Sequence, residues 1–176
     1  MKKLFIAAAI FLLAAGCTAN RTNNSTTDSN SINLTQAYSN SADHYVFKYP
    51  DGYQVRGFEG FGAFVPIKSD SSQVLVTKNG DDNVIFAVND TVPIQQLSSD
   101  NLKATIQSPF KTADYSISRV NIAGVQGYKL QYIGSGENVK SDFYYVQKPG
   151  QKVLAITVTK NNQIAQKTLD SFSFTN

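Results

Sequence analysis

After residue 43 apolar and polar positions alternate with a period of two along most of the chain, the pattern of half-buried strands. In His44-Tyr45-Val46-Phe47-Lys48-Tyr49 the aromatic residues Tyr45, Phe47 and Tyr49 fall on one face, with His44, Val46 and Lys48 on the other. Pro50-Asp51-Gly52 marks a turn, because proline presets φ and glycine accepts positive φ. Residues 53–56 and 62–67 are expected to form further strands. The clearest hairpin joins Val74-Leu75-Val76-Thr77 to Val84-Ile85-Phe86-Ala87-Val88 across Asn79-Gly80, a dipeptide that favours a type I′ turn. Helical spacing first shows over 94–107. There Leu97 or Leu102 with Ile106 makes a core-facing stripe, Ser99 or Asp100 is the expected cap, and Pro109 follows the end.

Four strands follow over 115–122, 127–133, 139–147 and 153–159, with separators short enough for antiparallel neighbours. Asn161 is expected to cap a closing helix that reaches Leu169, with Ile164, Thr168 and Leu169 inward, before a final Phe172-Ser173-Phe174 strand. Strand-rich segments with one helix in the middle and one near the end predict the α+β class, an antiparallel β-sheet flanked by helices. No internal repeat interrupts this order.

The beginning of the chain follows different rules. Lys2 and Lys3 precede an uncharged apolar run of twelve residues from Leu4 to Ala15, closed by Gly16 and Cys17. This is the three-part layout of a secretory signal. Twelve helical residues rise about 18 Å, short of the roughly 30 Å hydrocarbon core of a bilayer. Leu13-Ala14-Ala15-Gly16-Cys17 resembles the lipobox of bacterial lipoproteins, with Ala14 where leucine is common. That resemblance implies cleavage between Gly16 and Cys17, a diacylglyceryl group on the Cys17 thiol, and acylation of the new amino terminus, palmitate being the usual acyl chain. Two or three acyl chains at about 0.8 kcal/mol per buried methylene anchor a protein firmly. The expected location is extracytoplasmic, on the outer membrane in an organism with two membranes, since Thr18 is not the Asp of inner-membrane retention.

Between the leader and the strands, 16 of the 24 residues 18–41 are Asn, Ser or Thr. So little apolar surface cannot offset the entropy of ordering, and 17–42 is expected to be a lipidated, disordered tether before a globular domain at 43–176. Without the leader's two lysines, fourteen basic residues face thirteen acidic ones. A balance so near neutral offers no electrostatic footprint for nucleic acid.

Candidate chemistry is sparse. His44 is the only histidine and Cys17 the only cysteine, so every His-based triad, dyad or two-His metal site is excluded or rests on His44. Asp81-Asp82-Asn83 beside Gly80 lacks the alternating ligand spacing of a calcium loop and reads as turn chemistry. The Gly-rich segment 57–64 lacks the Lys-Ser/Thr of a phosphate cradle, but its Phe58, Phe61 and Phe64 are candidates for a partner-binding patch. Tyr128, Tyr132, Tyr144 and Tyr145 have the spacing of cross-strand pairs. No catalytic residue, metal site or cofactor is expected.

Five segments together resemble the PsbP-like family, known from the extrinsic subunit of photosystem II and its cyanobacterial lipoprotein relatives. They are Tyr45-x-Phe47-x-Tyr49-Pro50-x-Gly52-Tyr53, Asn83-Val84-x-Phe86-x-Val88, Ile94-x-x-Leu97, Gly127-Tyr128-x-Leu130-x-Tyr132 and Leu169-Asp170-Ser171-Phe172-Ser173-Phe174. The family usually has Trp where this chain has Tyr53. The resemblance implies an α/β/α sandwich and a non-enzymatic, membrane-tethered accessory or assembly module for a membrane complex. The alternatives are a small-ligand carrier or enzyme of the cell envelope and, in a photosynthetic source, a photosystem II extrinsic or assembly protein.

Overall fold

The computed structural model describes residues 32–175, apart from 60–62, 67–70, 80–82, 108–113 and 134–139 and the side chains of 58, 59, 63–66 and 107. The leader, Cys17, the tether up to residue 31, the Asn79-Gly80 turn beyond Asn79, Asp81, Asp82 and Phe61 therefore lie outside it.

The described strands form two antiparallel sheets. The larger has eight strands in the order β4 (Ala63–Pro66), β3 (Tyr53–Glu59), β5 (Gln73–Lys78), β6 (Val84–Asn89), β10 (Leu154–Thr159), β9 (Ser141–Val146), β8 (Val125–Ile133) and β7 (Asp114–Ile122). The smaller joins β1 (Gln36–Asn40), β2 (Tyr45–Tyr49) and β11 (Ser173–Phe174), with β2 in the centre. Helix α1 spans Ser99–Gln107 and α2 spans Gln163–Asp170.

Alternation along the strands gives the large sheet two apolar faces. On one, Val74, Val76, Phe86, Val88, Tyr144, Val146, Ile156 and Val158 pack with Tyr38, Tyr45 and Phe47 of the small sheet and with Ala165 and Leu169 of α2. On the other, Leu130 and Val153 receive Ile94 and the α1 residues Leu102 and Ile106. Tyr144 belongs to the first cluster and Tyr145 to the second, as neighbours on one strand must. The result is an α+β fold whose main antiparallel sheet carries a helix on each face. Rings of Tyr38, Tyr45, Phe47, Phe86 and Phe172 pack in stacked and tilted pairs at centroid distances of 5.0 to 6.4 Å, each such contact adding about 0.5–1.5 kcal/mol to the burial.

Local signals explain several boundaries. Ala123 (φ 52) and Gly124 (φ 81) make the two-residue turn between β7 and β8, with both central residues at positive φ as a type I′ turn requires. Between β8 and β9, Gly127 faces Val146 so closely that a Cβ there would overlap the Tyr145 carbonyl.

Four expectations need correction. The tether does not extend to 42: β1 pairs with β2 along its whole length, because Tyr38 closes over the Tyr45–Phe47 face and Asn40 finds buried hydrogen-bond partners. The second strand and the closing strand do not join the main sheet but form the smaller one with β1. Helix α1 begins at Ser99, not at Ile94, and its cap is Ser98, whose Oγ accepts from Asn101 N at 3.1 Å. The cap of α2 is Asn162, whose side chain accepts from Ala165 N at 3.0 Å, while Asn161 sits at φ 58 in the preceding turn.

Candidate functional site

A buried polar cluster gathers where the small sheet meets the large one. Asn40, at the end of β1, is fully buried. Its Oδ1 accepts from Ala42 N (3.0 Å) and Asp43 N (2.9 Å), an Asx turn that closes the β1–β2 connection. Its Nδ2 donates to the Ser71 carbonyl (3.2 Å) and to Tyr45 Oη (3.3 Å). Asp43 is thereby fixed in place just ahead of β2. Asp90 follows β6 and is held by its own N–H, which donates to the Ser72 carbonyl at 3.0 Å.

Lys152, from the loop before β10, reaches both acids. Its Nζ lies 2.6 Å from Asp90 Oδ2 and 3.6 Å from Asp43 Oδ1. The carboxyl side chains are 7% and 6% exposed, whereas that of Lys152 is 64% exposed. Burial, reinforced by the neighbouring Asp90 charge, pushes the Asp43 carboxyl above the ordinary range against the pull of Lys152. The hydrogen bond to Asp90 holds the Lys152 ammonium above its ordinary value. Asp90 Oδ1 is buried and receives no hydrogen bond.

Two open grooves flank the 150–152 segment. One, of about 310 Å³, is lined by Asp43, His44, Lys152 and Leu154 among others. The second, of about 480 Å³, runs along Asp90, Val92, Ile94 and Val153. Chemically the cluster sets one exposed cationic amine over two buried carboxyls. Among the described residues, no three His, Cys, Asp or Glu side chains converge as a metal site.

A second polar group lies on the β8–β9–β10 surface. Asp142 takes a 2.7 Å ion pair from Lys129, a 2.9 Å hydrogen bond from Gln131 Nε2 and a longer 3.6 Å contact from Lys160. Burial works against its ionisation, but the hydrogen bonds from Lys129 and Gln131 outweigh it and hold the carboxyl below the usual range. Lys129 also lies over the Tyr144 ring, 5.3 Å from its centroid.

The residues singled out in the sequence are placed as follows. Gly16, Cys17 and Phe61 lie outside the described residues. Phe58 and Phe64 occupy directly opposed positions on β3 and β4. His44 is exposed at φ 53, its carbonyl accepts from Thr175 N at 2.8 Å, and it edges the first groove. Tyr128 stands opposite Tyr145, and Tyr115 opposite Tyr132, as cross-strand pairs. The Asp43–Asp90–Lys152 cluster was not among the sequence candidates. Its members are spread over more than a hundred positions, and a buried acid carries no local motif.

No helix among the described residues is long and apolar enough to cross a membrane. No family model matches the chain. No curated protein matches it at a significant level. Among solved structures it is similar to the solution structure of cyanobacterial PsbP (CyanoP) from Synechocystis sp. PCC 6803, with a TM-score of 0.48 and 17% identity over 85% of this chain and 97% of that one.

Proposed function

We propose that this chain is a membrane-tethered, non-catalytic PsbP-like lipoprotein that serves as an accessory or assembly module for a membrane complex. The observation that carries the reading is the order of parts. A leader ends at the chain's only cysteine, an Asn/Ser/Thr-rich stretch follows, and a β-rich unit begins at Ile32. Of the residues behind the PsbP-like resemblance, Tyr45, Phe47, Phe86, Val88, Leu130, Leu169 and Phe172 are buried. Cys17 is the lipid attachment point in this reading, and Phe58, Phe61 and Phe64 are the partner-binding residues. The grooves beside Lys152 would instead suit a small-ligand carrier of the envelope, for which they are the specific support. A photosystem II partner is the reading for a photosynthetic source.

Labelling with an alkynyl palmitate tests the anchor, and native gel electrophoresis of detergent-solubilised membranes tests the module. Wild type is expected to take up label and migrate with one large complex. Cys17→Ala is expected to take up none and to leave the membrane fraction. An unlabelled, freely soluble wild type, or substrate turnover abolished by a single substitution, would overturn the proposal.

A further inference from the structure

We infer that Asp43 and Asp90 share a proton and form a pH-sensitive latch that fastens the β1–β2 turn of the small sheet to the large sheet. Asp43 lies between two strands of the small sheet and Asp90 follows a strand of the large one, and among the described residues Lys152 is the cation that reaches both. One ammonium cannot neutralise two carboxylates. With both ionised, a net negative charge would remain among side chains more than nine-tenths buried, which desolvation in a protein interior opposes. A single proton on Asp43 removes that charge and supplies the missing donor for Asp90 Oδ1. Among the described residues two other buried side-chain oxygens lack a partner, on Thr77 and Thr168, but a hydroxyl carries its own proton whereas a carboxylate can only accept.

The groups around the pair agree with a shared proton. From β2, the buried Tyr45 phenol is pushed up by burial and by Tyr38 of β1, so it stays neutral and adds no positive charge. His44 borders the same groove but is solvent-exposed, where screening weakens its effect. Lys152 remains the cation that faces both carboxyls, and it is already committed to Asp90 at 2.6 Å.

The direction of the switch follows from Asp43. Its carboxyl holds the proton more tightly in the folded protein than in the unfolded chain. The stabilisation is therefore complete below the ordinary carboxylate range and is lost as pH rises through the raised value. Above it, two carboxylates repel beneath one exposed amine, and the turn held by Asn40, Ala42 and Asp43 loosens from the large sheet.

The test uses the full chain in detergent, with carboxyl-carbon NMR and amide hydrogen exchange followed from about pH 4 to pH 8, a span that brackets the ordinary carboxylate range. In wild type the Asp43 carboxyl is expected to titrate above that range. Protection of the Ala42 and Asp43 amides, corrected for base-catalysed exchange, should fall several-fold through that step. Asp43→Asn keeps the volume and offers an amide donor to Asp90 Oδ1. It should make that protection independent of pH and raise the urea midpoint at pH 8 relative to wild type. Asp90→Asn repeats the test from the other side. Titration of Asp43 within the ordinary range, an unchanged pH slope in both variants, or failure of both to fold would overturn the latch.

Discussion

Replacing Gly127 by alanine tests the packing of the main sheet at its tightest point. A Cβ on Gly127 would overlap the Tyr145 carbonyl oxygen and stand 3.3 Å from the Tyr145 carbonyl carbon and 3.4 Å from Val146 Cα. All three atoms are backbone, so no side chain can rotate away. The strands must part by about 1 Å from their usual 4.7–4.9 Å spacing. Overpacking of this kind costs about 1–3 kcal/mol, and weakening one ladder hydrogen bond adds about 1 kcal/mol. The total of about 2–4 kcal/mol corresponds to a fall in urea midpoint of about 1–2 M at an m-value near 2 kcal/mol/M. Urea unfolding followed by far-UV circular dichroism measures this. Hydrogen exchange should place the lost protection on the β8–β9 ladder around Tyr128 and Tyr145. A midpoint within about 0.2 M of wild type would refute the close approach as a requirement of the fold.

Further expectations concern other layers of the fold. Leu102→Ala, at a fully buried site between α1 and the sheet, should cost about 2–5 kcal/mol in the same urea assay. Asn162→Ala removes the α2 cap and should cost about 1 kcal/mol, with exchange rising first at Ala165 N. Asp142→Asn should be less stable than wild type at neutral pH. Because the Asp142 carboxyl is held below its ordinary value, its contribution is present above the ordinary range and lost as pH falls through the depressed one, so the two unfolding curves should converge in strong acid. Burial pushes the Tyr145 phenol up to about 12, so ultraviolet titration should show a late-ionising tyrosine that Tyr145→Phe removes.

Much of the fold is legible in the chain because its strands alternate cleanly. Tyr45 and Phe47 are inward as the period of two requires, β5 pairs with β6 and β7 with β8 as expected, and the strands around 115–159 are neighbours. Strand β1 was hidden because its order comes from partners and not from composition. Tyr38 is one aromatic residue in a polar stretch, and Asn40 is buried only because Ser71 and Tyr45, far apart in sequence, meet it. Membership in a second sheet was hidden for a similar reason, since alternation tells which face is buried but not which edge a strand joins. The 94–97 segment imitates a helix start by apolar spacing, yet Ile94 reaches the core from a non-helical chain. The polar cluster was the least visible feature. Asp43 and Asp90 look like ordinary turn residues until two sheets bring them to one lysine.

The proposed role as a tethered accessory module is tested most directly by cross-linking the native protein in its own membranes and identifying the captured chains by mass spectrometry, with Cys17→Ala alongside. The expected result is one stoichiometric membrane complex captured by wild type, with cross-links from the β3–β4 edge, and lost in Cys17→Ala. No reproducible partner for wild type, or equal capture by the Cys17→Ala protein, would contradict it.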